Sequence, residues 1–103
     1  MRDYSYHPAA EAEALEAAKY YEARAQGLGA EFRLELDAAV SFIRRHPEAA
    51  ATERGTLRRK RLNRFPYTLL YALERDEIHI YAVMHHRRRP GYWMPRLGPP
   101  EVL

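Results

Sequence analysis

The sequence predicts a small α+β domain in which a helical hairpin packs on a mainly antiparallel sheet. Residues 9–26 are almost entirely helix-forming types, with no glycine or proline among them. Residues 30–45 repeat apolar side chains every three to four positions, as an amphipathic helix does. Beyond residue 57 the pattern changes to that of strands. The predicted order is one N-terminal strand, two helices and a three-stranded antiparallel meander in one sheet.

The composition indicates one globular domain, because the 103 residues are 47% hydrophobic and 30% charged. We expect a single domain over residues 1–97 and a tail over residues 98–103. No apolar run approaches the ~20 residues of a membrane helix, so we expect no membrane partner. The absence of cysteine excludes disulfides and thiolate zinc sites, and it favours the reducing cytoplasm.

The first half of the chain predicts one strand and the helical hairpin. Residues 2–7 alternate as a short strand does, and Pro8 suits the first turn of the first helix. Gly27 and Gly29 then interrupt the helical pattern, which predicts the turn of the hairpin. The second helix is expected from about residue 30 to residue 45.

The second half predicts a loop at residues 48–56 and three strands. Residues 57–65 are so basic that we expect an edge strand, since edge charges discourage further pairing. Residues 67–73 are apolar on both faces, as in a central strand, and a turn at 74–77 leads into the last strand. Strict alternation predicts its two faces, one with Ile78, Ile80, Ala82 and Met84 and the other with His79, Tyr81, Val83 and His85.

The charge is unevenly distributed along the chain. Residues 1–51 carry six basic and nine acidic side chains, whereas residues 52–103 carry eleven basic and five acidic ones. This asymmetry favours an anionic partner, such as a nucleic acid, a phosphate-bearing target or an acidic protein. Ten of the eleven late cations are arginines, which favour bidentate contacts with phosphate or carboxylate.

Two basic segments are candidate binding sites. The first contains six cations in eleven residues: Arg54, Arg58, Arg59, Lys60, Arg61 and Arg64. Alternation places Arg59 and Arg61 on one face of the strand and the others from Arg58 onward on the opposite face. The charges are equally well interpreted as a solvated strand edge.

The second basic segment follows the last predicted strand and holds His85, His86, Arg87, Arg88, Arg89, Tyr92 and Trp93. Such a set could bind phosphate, stack on bases or support acid–base chemistry. Trp93 is also interpretable as an apolar cover for the sheet. No spacing typical of metal ligands and no Gly-rich phosphate loop is present, so we expect no metal and no cofactor.

Several short motifs along the chain are typical of one toxin superfamily. They are Tyr20-Tyr21-Glu22, Gly27-Leu28-Gly29-Ala30-Glu31-Phe32, Pro47, Arg64-Phe65-Pro66-Tyr67, Tyr71, Ala82-Val83-Met84-His85, Arg88, Pro90, Tyr92-Trp93 and Arg96. In this order and spacing, over about residues 2–97, the chain resembles the RelE/ParE toxins, above all the ParE or plasmid-stabilisation branch. The resemblance implies the fold predicted above.

The resemblance also implies a bacterial type II toxin that a cognate antitoxin neutralises in a hetero-oligomeric complex. Members of the ParE branch inhibit DNA gyrase. The expected target-binding residues are Arg58, Arg59, Arg61, Arg64, Arg87, Arg88, Tyr92 and Trp93. We expect the antitoxin to lie in a groove beside the helical hairpin, lined by Tyr20 or Tyr21, Leu28 and Phe32. Tyr20 and Tyr21 are about 100° apart on a helix, so one of them remains free for a partner.

The RelE branch supplies an alternative, because its members cut messenger RNA on the ribosome without a metal. The corresponding residues here would be Arg59, Arg61, His85, Arg88 and Tyr92. Those nucleases carry an arginine after the tyrosine that opens the central strand, whereas Thr68 follows Tyr67 in this sequence. A third interpretation is an inactive toxin fold that only binds its antitoxin.

Overall fold

The computed structural model describes residues 1–98 and confirms the α+β class. The elements in chain order are β1 (Tyr4–Tyr6), α1 (Pro8–Arg24), α2 (Leu28–Arg45), β2 (Ala51–Arg54), β3 (Leu57–Arg61), β4 (Tyr67–Glu74), β5 (Glu77–His85) and a short 3-10 helix (Met94–Leu97). Apart from Gly98, the predicted tail lies outside the described residues. Within residues 1–98, no helix is both long and apolar enough to cross a membrane.

The five strands form one sheet in the order β1-β5-β4-β3-β2. β1 runs parallel to β5, and all other neighbours are antiparallel. We call the face that the two helices cover the inner face and the opposite one the outer face. The segment after β5 returns over the outer face, where Trp93 packs in a second, smaller apolar cluster.

The structure corrects the predictions for β2 and β3. Residues 51–54 were expected in a loop, but they form β2, whose four side chains are all exposed. The β2 residues lack apolar alternation. A turn at Gly55 connects β2 to β3, and the two strands pair through backbone hydrogen bonds. β3 is therefore not the edge strand, and it ends at Arg61 rather than at residue 65. β4 is central and buried on both faces, as predicted.

A close contact at the turn of the hairpin holds the two helices together. Gly27 adopts a left-handed conformation with φ of 86°, and the Glu22 carboxylate accepts hydrogen bonds from the backbone N–H groups of Gly27 and Gly29. A Cβ at Gly29 would lie 2.6 Å from the carbonyl oxygen of Ala18. Gly29 therefore allows the first turn of α2 to lie close to α1.

The inner core joins α2 to the two long strands. Phe32, Leu36 and Ile43 of α2 pack against Leu69 and Tyr71 of β4, and all five are at most 1% exposed. These side chains lie at the helical and strand spacings that predicted the elements. The helical hairpin is therefore fixed over the middle of the sheet.

A bulge in β5 overturns the predicted faces of that strand. Ile80 pairs with Tyr71 and Ala82 pairs with Leu70, so Tyr81 is an extra residue between them. The alternation is reversed beyond this point. Ile80 and Val83 both lie in the inner core, whereas Ala82 belongs to the outer cluster.

Candidate functional site

A basic cavity opens where β3 and β5 end and β4 begins. Its volume is about 430 Å³, and its basic and imidazole lining residues are Arg59, Arg61, His85, His86 and Arg88. Four of the five residues expected for a nuclease therefore meet in one place, Tyr92 being the exception. Within residues 1–98, no group of three or more His, Asp or Glu side chains could hold a metal ion.

The register of β3 explains which cations reach the cavity. Arg59 lies opposite Leu70 and Arg61 lies opposite Thr68, which places both arginines on the outer face. Arg58 lies on the inner face, as alternation predicted, and donates to the carbonyl oxygens of residues 48 and 50 at 3.1 and 2.7 Å. Arg58 is therefore turned away from the cavity.

Arg64 is also outside the cavity, in the turn that follows β3. Its guanidinium lies 3.2 Å from the Glu31 carboxylate of α2, and both side chains are about half exposed. The Glu35 carboxylate accepts hydrogen bonds from the backbone N–H groups of this turn. Arg64 therefore belongs to the contact between α2 and the turn.

A bulge in β2 brings an acidic side chain into the cavity. Thr52 pairs with Arg58 and Arg54 pairs with Leu57, so Glu53 and Arg54 together oppose one residue of β3. The Glu53 carboxylate lines the cavity and lies 2.7 Å from the Arg59 guanidinium. Within residues 1–98, Arg61 has no carboxylate within 4.0 Å.

His85 is the candidate proton-transfer group at the cavity. Its Nδ1 accepts a 3.0 Å hydrogen bond from the backbone N–H of Arg87, which leaves the proton of the neutral ring on Nε2. Burial lowers the pKa of His85, and the neighbouring Arg87 and His86 lower it further. The ring packs edge-to-face against Tyr67 at 5.0 Å and is neutral at physiological pH.

Tyr92 does not line the cavity, because its phenol is directed toward α1. The hydroxyl donates a 2.6 Å hydrogen bond to the Glu13 carboxylate. Arg96 donates to the same carboxylate at 2.8 and 3.0 Å, and the backbone N–H of Val83 donates to it at 3.0 Å. Burial and the bond to Glu13 raise the pKa of Tyr92, so the phenol stays protonated.

Glu13, beside the cavity, and Glu53, within it, are residues that the sequence did not reveal. Burial raises the pKa of the Glu13 carboxyl, but the hydrogen bonds from Arg96, Tyr92 and Val83 outweigh burial and hold that pKa below its ordinary value. In the sequence Glu13 is one of several glutamates in an N-terminal helical segment, where anions are favoured for other reasons.

Comparison with known proteins decides the family. The family model described as ParE toxin of type II toxin–antitoxin system, parDE, matches residues 4–90. The chain belongs to the ParE toxin family. The resemblance noted in the sequence is thereby confirmed, and the protein is a type II toxin by family.

A solved structure of the chromosomal ParDE TA system from P. aeruginosa is similar to this toxin in fold. The TM-score is 0.60 at 15% sequence identity, over 82% of this chain and 96% of that chain. At this identity the likeness supports the fold alone. No curated protein matches the sequence.

The ParE-family toxin buries one of its expected target-binding residues and exposes another. Trp93 is 3% exposed and packs on the outer face with Leu57, Leu70 and Ala82, beneath the cavity. Its indole therefore supports the cavity rather than presenting a surface. Arg87 lies in the exposed turn after β5.

The expected antitoxin-binding residues are also divided by burial. Tyr20 is 53% exposed, whereas Tyr21 packs against Phe32 and Phe65 with ring centroids 5.5 and 4.7 Å away. Tyr20 is thus the exposed tyrosine, and its hydroxyl accepts a 2.8 Å hydrogen bond from Arg24 on the same helix. Phe32 is fully buried and cannot line a surface groove, and Leu28 is half-buried.

A groove of about 330 Å³ runs beside α1 and meets the basic cavity. We call it the α1 groove, and its lining residues are Glu13, Glu16, Ala17, Tyr20, Tyr67, Val83, His85 and Arg88. His85 and Arg88 also line the basic cavity. These two residues therefore form the junction between the two concave surfaces of the toxin.

Proposed function

We propose that this ParE-family toxin acts by binding and inhibiting DNA gyrase, and that a cognate antitoxin neutralises it in a toxin–antitoxin complex. The observation that carries the proposal, beside the family, is the convergence of Arg59, Arg61 and Arg88 on one cavity. Paired arginines in a concave site favour bidentate contacts with carboxylate or phosphate groups of a partner. A gyrase target places the action of the toxin in the cytoplasm.

The chemistry of the cavity supports binding more strongly than catalysis. Metal-free cleavage of RNA needs a group that takes a proton and a group that gives one. Tyr92 is committed to Glu13, and Thr68 stands where related nucleases carry an arginine. Among the described residues that line the cavity, His86 Nε2 is hydrogen-bonded to the Thr68 hydroxyl at 2.9 Å and Glu53 is paired with Arg59, which leaves His85 as the imidazole best placed for proton transfer.

The test is controlled expression of the toxin alone in bacteria, with growth, plasmid supercoiling and transcript integrity measured together. We expect growth arrest with altered supercoiling and intact transcripts. The double variants R59E/R61E and R87E/R88E should lose toxicity while remaining folded by circular dichroism. Arg33→Glu is the matched control, since Arg33 is exposed on α2 and does not line the cavity. Unchanged toxicity in both double variants would overturn the proposal.

A ribosome-dependent mRNA endonuclease is the second candidate, because four of the five residues expected for it line the same cavity. Arg59, Arg61 and Arg88 could neutralise a phosphodiester in the transition state, and neutral His85 could accept a proton. This function predicts cut transcripts on induction, abolished by His85→Ala without loss of folding. Arrested growth with intact transcripts contradicts it. Normal growth on expression would instead indicate an inactive fold that only binds antitoxin.

The proposed antitoxin contact begins at the exposed ring of Tyr20. An amphipathic antitoxin helix could lie along the α1 groove, and the basic second half of the toxin would attract its acidic residues. We expect Tyr20→Ala to weaken antitoxin binding at least tenfold, whereas Phe32 variants act only through stability. An antitoxin that binds Tyr20→Ala and the native toxin equally tightly excludes this surface.

A further inference from the structure

Arg88 lies at the junction of the basic cavity and the α1 groove, yet it comes from a turn rather than from a strand or helix. Its side chain is 51% exposed, so burial does not fix its position. Its guanidinium carbon lies 3.8 Å from the centre of the Tyr92 ring. A guanidinium that close to an aromatic face is held by a cation–π contact.

The contacts of Glu13 explain how that ring is held. The Tyr92 hydroxyl donates to Glu13, and the Arg96 guanidinium pairs with both carboxylate oxygens and lies 5.0 Å from the Tyr92 ring centre. The Glu13 carboxylate is itself fixed by the backbone N–H of Val83 in β5 and is only 13% exposed. Arg88 also lies 3.8 Å from it. A continuous set of contacts therefore joins α1 and β5 to Arg88.

We propose that Glu13 is a positioning residue for the basic cavity, because its partly buried carboxylate holds Arg88 beside the cavity, both directly and through the Tyr92 ring that Glu13 and Arg96 fix in place. The inference rests on the proposed function for the role of the cavity as a binding site. Glu13 lines the α1 groove and not the basic cavity, so its effect on a ligand in the cavity is exerted through Arg88. A change on α1 that moves Glu13 would therefore also move Arg88 in the basic cavity.

Nuclear magnetic resonance of the arginine side chains tests the positioning directly. The ring current of Tyr92 should shift the side-chain protons of Arg88 upfield in the native toxin. Glu13→Gln should return these signals toward the values of an exposed arginine. The matched control is Glu16→Gln, which removes the same charge from the same helix and groove but breaks no hydrogen bond of the described residues. Unchanged Arg88 signals in folded Glu13→Gln would overturn the proposal.

A double-mutant cycle with inorganic pyrophosphate separates positioning from a general loss of stability. Glu13→Gln should weaken pyrophosphate binding about three- to tenfold. It should have no further effect in an Arg88→Ala background and its full effect in an Arg61→Ala background. Equal effects in both backgrounds would show a structural role only. If the native toxin binds no pyrophosphate, the anion-binding role of the cavity fails, and the resonance experiment still decides the role of Glu13.

Discussion

The carboxylate of Glu53 lies 2.7 Å from the guanidinium of Arg59, within the cavity that Arg59 shares with Arg61. The cavity is thus lined in part by a carboxylate of the toxin itself, that of Glu53 on the exposed strand β2. An anionic ligand that approaches Arg59 has to displace this contact. The pair is partly exposed, with 49% and 32% of the two side chains accessible, so the competition is modest.

Replacing Glu53 with Gln should therefore strengthen the binding of inorganic pyrophosphate. We expect the dissociation constant to fall about two- to fivefold, because exposed ion pairs contribute about 0–1 kcal/mol. Isothermal titration calorimetry at low ionic strength measures the change. Glu48→Gln is the control, since Glu48 is exposed and lies outside the cavity. Unchanged or weaker binding in Glu53→Gln would show that the ion pair does not compete.

Removing the buried hydroxyl of Tyr71 should destabilise the toxin without affecting the cavity. This hydroxyl donates a 2.8 Å hydrogen bond to the carbonyl oxygen of Pro47, and Tyr71 is fully buried. Tyr71→Phe leaves that carbonyl without its partner, which costs about 1–3 kcal/mol in the free energy of unfolding. Urea denaturation measures the loss. Tyr81→Phe is the comparison, because its hydroxyl bonds an exposed carboxylate; an equal loss there would contradict the assignment.

Gly29 and Gly27 should respond to alanine for different physical reasons. At Gly29 the new Cβ would lie 2.6 Å from the Ala18 carbonyl oxygen, so the helices must separate, at about 1–3 kcal/mol. At Gly27 nothing lies within 4 Å, but φ is 86°, and alanine there costs about 1–2 kcal/mol. Thermal unfolding of both variants measures the costs. A stabilised Gly29→Ala variant would show that the two helices are far enough apart at Gly29 to accept a Cβ.

The stability of the toxin should depend on pH through Glu13. Its pKa is lowered in the folded state relative to an ordinary value of 4.5. The contribution of Glu13 to stability is therefore complete above that value and is lost as the pH falls through the folded pKa. At neutral pH Glu13→Gln should be less stable than the native toxin, and the difference should shrink below pH 4.5. A difference that stays constant between pH 7 and pH 3 contradicts this.

Much of the fold was predictable because its main elements carry strong local patterns. The spacing of Phe32, Leu36 and Ile43 predicts α2, and the buried residues of β4 identify a central strand. β2 was not predictable, because its exposed side chains carry no alternation and its pairing is made by the backbone. The bulge at Tyr81 was equally hidden, since it depends on a register with β4 that no local pattern specifies.

The site was predictable where strand alternation determines it. Alternation correctly placed Arg59 and Arg61 together and separated them from Arg58. The pairing of Tyr92 with Glu13, by contrast, joins residues 79 positions apart. Such a contact depends on how α1 lies against β5, and a single sequence contains no pattern that reports it.

Because β1 pairs in parallel with β5, the sheet can be completed only after β5 has been synthesised. Tyr4 pairs with Ile78, so β1 has no partner strand until most of the chain has been synthesised. At ribosomal rates of 5–20 residues per second, that delay is about 4–15 s. The helical hairpin can form early through local contacts, whereas the basic cavity needs residues from both β3 and the turn after β5. In a nascent chain the helical hairpin can thus be complete before the basic cavity exists.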